Sequence, residues 1–240
     1  MSPFISCSEL PQLLKYYAAV VLFLRSQFLF VPSSGGAIYS FTGTSFDGHS
    51  VSATAEFLLN ASADTIIVKL TNTTALTRDA GELFTGLDFT LGGLTPTMTS
   101  DTGIQRTVAG SGAFTDSATA QNLSWSLVSL GAGTFQLNFN PNARDAIIGP
   151  PSGGNYSTAN GSIKGNPGHN PFAAEMAVFS LSVPSLLDST PVAVTKYRFG
   201  TDLQPAVRTI GQEPGPVPEP WSCMIWLFGI ALVIGRRCDR

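Results

Sequence analysis

The chain has 240 residues, of which 12% are charged and 43% hydrophobic, and a formal net charge of −3. Between positions 38 and 213, eight cationic and thirteen anionic side chains leave a net charge of −5, which argues against a nucleic-acid partner because phosphate binding is largely cationic. The three cysteines are Cys7, Cys223 and Cys238, so residues 37–220 hold neither a disulfide nor a cysteine-based metal cluster, a composition suited to an oxidising compartment.

The N-terminal stretch has the parts of an export signal. Lys15 precedes an apolar run over 16–24, Arg25 interrupts it, and residues 28–31 resume it. The small residues Ser33, Ser34, Gly35, Gly36 and Ala37 follow, the type a signal peptidase accepts. Residues 1–37 are therefore expected to form a signal peptide cut after Ala37, or a signal anchor if uncut.

Residues 38–213 are of a size to fold around a single core. Helical stripes are nearly absent, and strand patterns recur. Residues 38–44 and 51–57 are two strand candidates separated by Phe46-Asp47-Gly48-His49, a hairpin pattern. Over 51–57 apolar and polar residues alternate, and over 65–72 Ile66, Val68 and Leu70 oppose Ile67, Lys69 and Thr71, as in half-buried strands. Further strands are expected at 83–91, 123–130, 134–139, 177–183 and 192–199, and a long loop at 140–170, where Pro, Gly and Asn are dense. Short strands separated by Gly, Pro and Asn clusters predict an all-β, antiparallel β-sandwich of jelly-roll type.

The last 24 residues change character. Pro216, Pro218 and Pro220 lack backbone donors and fix φ, so residues 214–220 form an extended linker that displays Glu219. Residues 221–235 carry no charge. As a helix they would extend roughly 22 Å at about 1.5 Å per residue, against a hydrocarbon core of about 30 Å. Arg236 and Arg237 would hold the far end in the cytoplasm and leave everything before Trp221 outside the inner membrane. Residues 221–240 are thus expected to be a single transmembrane helix with a basic tail.

Taken in order, Val217-Pro218-Glu219-Pro220, the apolar run and Arg236-Arg237 resemble the PEP-CTERM sorting signal read by exosortases. The strand pair ending Leu70-Thr71-Asn72-Thr73-Thr74, the segment Leu83-Phe84-Thr85-Gly86-Leu87-Asp88-Phe89 and the closing Tyr197-Arg198-Phe199-Gly200-Thr201 are similar to stretches of exosortase-dependent surface proteins. The resemblance implies an exported protein of an exopolysaccharide-producing Gram-negative bacterium. Such a protein passes through an inner-membrane intermediate, is cut near the Pro-Glu-Pro motif, and ends at the cell surface or in the extracellular matrix. It implies an exosortase and the membrane as partners, a structural role in the exopolysaccharide or biofilm matrix, and no catalytic activity or cofactor.

Residue chemistry within 38–213 points the same way. His49 and His169 sit in polar turns, and no Gly-x-Ser-x-Gly elbow accompanies them. Asp88, Asp145, Glu175 and Asp188 could serve glycoside hydrolysis only if two of them flanked a cleft, and nothing in the sequence pairs them. Asp101, Asp116 and Asp145 lie near Asn, Thr or Gly without forming a calcium-loop motif. No catalytic, cofactor or metal residue is therefore assigned. The alternative to a structural protein is a carbohydrate-binding module of the secreted matrix, in which Trp125 and Tyr156 would be exposed platforms against exopolysaccharide, although Trp125 suits a core position better.

Overall fold

Alternating side chains in three long strands build the first face of the molecule. The computed structural model describes residues 36–140 and 144–201. One sheet has six strands in the order β1 (Gly36–Thr44), β2 (Ser50–Asn60), β3 (Thr65–Asn72), β13 (Met176–Ser182), β5 (Thr97–Gly103) and β8 (Gln121–Asn122). Val51, Ala53, Ala55, Phe57 and Leu59 of β2 point inward, as do Ile66, Val68 and Leu70 of β3 and Ala177, Phe179 and Leu181 of β13. This is the period-2 burial that the sequence predicts.

The second sheet runs β7 (Phe114–Asp116), β6 (Gln105–Val108), β12 (Phe172–Ala174), β11 (Ile147–Ile148), β4 (Phe84–Thr90), β10 (Thr134–Phe139) and β9 (Trp125–Gly131), with β14 (Ala193–Phe199) also paired to β4. β4 lies between β10 and β14 and is buried at six of its seven positions. Leu87 and Phe89 are part of the hydrophobic core. Asp88, between them, is covered by Gln136, Lys196 and Arg198.

Aromatic rings join the two sheets. Phe41 of β1 stacks on Tyr197 of β14 at 5.1 Å, Phe57 of β2 meets Phe89 of β4 at 5.5 Å, and Phe179 of β13 meets Trp125 of β9 at 5.2 Å. Such pairs contribute about 0.5–1.5 kcal/mol each beyond area burial. Truncating Phe57, which is fully buried, would cost about 3–5 kcal/mol.

The protein is therefore all-β, with two sheets packed around one core as in a β-sandwich. Two details differ from the expected antiparallel jelly roll. β11 and β12 are parallel. In addition, β1, β2 and β3 run as a meander within one sheet, where a jelly roll is built from two Greek keys. Within the expected loop 140–170, the described residues 144–170 are largely irregular, as their composition implies, but they are not a surface excursion. Tyr156, Ala159 and Ile163 are buried, and the backbone of Tyr156 bonds to Gly112 O. A Cβ on Gly112, whose φ is +89°, would lie 2.5 Å from Ser157 N, so this approach needs glycine.

The expected signal segment 1–37 falls almost wholly outside the described residues, and the linker and transmembrane segment 214–240 do so entirely. Among the described residues, no helix is long and apolar enough to cross a membrane.

Candidate functional site

The sorting-signal residues Val217, Pro218, Glu219, Pro220, Arg236 and Arg237 lie outside the described residues. The two candidate carbohydrate contacts lie inside them, and neither is a platform. Trp125 is 5% exposed and Tyr156 is 1% exposed. The Trp125 indole N–H donates to Asp145 O at 2.9 Å, and its amide donates to Asp101 Oδ2 at 2.8 Å. The Tyr156 hydroxyl donates to Gly149 O at 2.7 Å and accepts from Arg106 Nη1 at 2.9 Å. The matrix-binding expectation for these two rings is corrected accordingly: the polar end of each is used to satisfy buried backbone and side-chain groups, and no ring face is offered to a sugar.

The carboxylates are dispersed into separate ties. Asp88 receives Arg198 Nε at 3.0 Å and Nη2 at 2.8 Å, with Gln136 Nε2 at 2.8 Å. Glu175 accepts from Arg106 Nη1 at 3.0 Å, Asp145 accepts from Gln105 Nε2 at 2.8 Å, and Asp188 accepts from the amide of Ala61 at 3.4 Å. Burial pushes the Asp145 carboxyl above the ordinary range, with the charge of Asp101 adding to it and Gln105 opposing. Asp101 moves the same way, again from burial.

Arg106 is the most heavily used cation of the second sheet. It binds Asp116 through two bonds of 2.7 Å, and its guanidinium carbon stands 4.2 Å from the Phe114 ring centroid. Burial opposes its charge, but Asp116, Tyr156 and Glu175 more than offset this, and its proton is held more tightly than usual. Burial likewise pushes the Tyr156 phenol up to about 12.

The two histidines lie in polar turns, as expected, and both are partly buried. His169 Nδ1–H donates to Ser162 O at 2.6 Å. It borders a cavity of about 160 Å³ with Leu83, Phe139 and Arg144, smaller than the ~300–1,000 Å³ of most ligand pockets. His49 closes the β1–β2 hairpin, where its carbonyl accepts from Ser45 N at 2.7 Å and its amide donates to Ser45 Oγ at 3.1 Å. That turn aims His49 Nδ1 at Asp79 Oδ2, 3.1 Å away, and Glu82 Oε1, 3.2 Å away.

Asp79 and Glu82 come from a capping box on the 3-10 turn Ala80–Glu82, just before β4. Asp79 Oδ1 accepts from Gly81 N at 2.8 Å, and Glu82 Oε2 accepts from the amides of Arg78 and Asp79. Arg78 Nη1 approaches Glu82 Oε1 at 3.2 Å. The Asp-x-x-Glu spacing is the signal from which the turn could have been found. Nothing in the sequence announced that a histidine 30 residues earlier would face it.

A scan against protein-family models finds no match for the chain, and no curated protein matches it.

Proposed function

We propose that the protein is an exported structural component of a bacterial cell surface or extracellular matrix. Its C-terminal segment would be read, and cut near Pro218-Glu219-Pro220, by an exosortase. The observation that carries this reading is the order of four elements in the last 24 residues: a proline-rich stalk, a displayed Glu219, an uncharged run over 221–235 and the Arg236-Arg237 pair. The short apolar run suits a transient membrane intermediate better than a lasting anchor. A thiol-free, all-β domain with polar groups tied into structural bonds supports a passive role in an oxidising compartment.

The test follows the full-length chain in producing cells with and without their exosortase. Surface exposure with the enzyme and retention in the inner membrane without it are the expected results. The same distribution in both strains would contradict the proposal.

A further inference from the structure

We infer that His49, Asp79 and Glu82 form a binding site for a divalent transition-metal ion of the zinc class, fastening the β1–β2 turn of one sheet to the turn that enters β4 of the other. The three ligand atoms lie within 4.8 Å of one another. At zinc bond lengths of about 2.0–2.1 Å, tetrahedral ligand atoms stand about 3.3–3.4 Å apart. The separations of Nδ1 from the two carboxylate oxygens, 3.1 and 3.2 Å, are slightly shorter, so an ion entering the site needs only a small outward shift of its ligands.

The histidine nitrogen supplies the second observation. Nδ1 has no exposed surface and makes no hydrogen bond, despite its closeness to both oxygens. The two contacts are ion pairs only when the ring is protonated, and a neutral ring leaves this nitrogen's lone pair facing two anionic oxygens. A buried lone pair beside two anionic oxygens is satisfied by a shared cation.

The carboxylates are positioned for it. One oxygen of each is occupied by backbone amides, so that Asp79 Oδ2 and Glu82 Oε1 face the imidazole, the latter also accepting from Arg78 Nη1, an outer-sphere arrangement that orients ligands. Glu82 is fully buried, and Asp47 Oδ2 lies 2.6 Å from where a Cβ on Gly81 would stand. The Arg78 guanidinium bonds Glu82 Oε1 at 3.2 Å from a side chain that is 44% exposed, so a cation would compete with an ion pair at the protein surface. An imidazole with two carboxylates favours zinc or its neighbours over calcium, which prefers oxygen ligands alone.

The test is calorimetric titration of the untagged, full-length chain in detergent with zinc chloride, paired with thermal unfolding. Cys7→Ser, Cys223→Ser and Cys238→Ser are introduced first to remove competing thiols. One zinc per chain and a raised unfolding midpoint are expected. His49→Ala should weaken binding by about 10–100-fold or more, and His169→Ala should leave it unchanged. The His49 ring is one-third exposed, so its removal should leave the sheets intact, and a circular-dichroism spectrum like the parent's checks this. Glu82→Gln serves as a second ligand variant if it folds. Absence of stoichiometric zinc, or equal binding by His49→Ala, would overturn the site. Neither result depends on how the C-terminal segment is processed.

Discussion

Arg106 on β6 and Asp116 on β7 meet in two parallel hydrogen bonds, each 2.7 Å long, across adjacent strands. The same guanidinium reaches Glu175 and Tyr156 and lies over Phe114. It thereby ties β6 and β7, the residue following β12 and the long segment after β10 into one unit. A planar fork is required for this, because an ammonium cannot bond both carboxylate oxygens in parallel while covering a ring. Arg106→Lys should therefore lose most of what Arg106→Ala loses, about 2–4 kcal/mol. Denaturant midpoints would show it, and a lysine variant within about 0.5 kcal/mol of the parent would contradict the geometry.

Trp125 is expected to act on stability and not on sugar retention. Trp125→Phe removes the N–H that satisfies Asp145 O and leaves a smaller ring against Phe179. Its cost should be about 2–4 kcal/mol. At temperatures where the variant stays folded, co-sedimentation with the producing cell's exopolysaccharide should match the parent. Selective loss of sedimentation without loss of stability would restore the ring as a contact.

Asp145 gives a pH dependence with a defined sign. Burial raises its folded-state value, so the fold disfavours the ionised form. The stability contributed by this carboxyl is complete below the unfolded value of about 3.9 and is lost as pH rises through the higher folded value. Asp145→Asn retains an oxygen for Gln105 and does not titrate. Its unfolding midpoint should therefore improve relative to the parent between about pH 3.5 and pH 7. Asp101, displaced the same way, is present in both proteins. A difference independent of pH would contradict the assignment.

Much of the fold was legible because its longest strands are half-buried. In β2, β3 and β13 the burial of alternate residues writes period 2 into the sequence, and their inward faces follow directly. β5 was not legible: Thr97-Met98-Thr99-Ser100-Asp101-Thr102-Gly103 has one large apolar side chain, and pairing with β13 holds it in place. The segment 140–170 was read from its glycines and prolines as a loop. That is right for most of the described backbone, but the segment is held down by partners distant in sequence: Gly112 O bonds the amide of Tyr156 and Val108 O that of Gly165. The same distance hid the cluster of His49 with Asp79 and Glu82. Local patterns report local geometry, and this cluster forms only when two sheets close on each other.

The most direct measurement of the central claim is the intact mass of the protein extracted from the surface of its producing cell. Removal of residues 221–240, with the new C-terminus at or near Pro218-Glu219-Pro220, is the predicted result, and that shortening should disappear in cells lacking the exosortase. A mature surface protein still carrying Cys238-Asp239-Arg240 would contradict it.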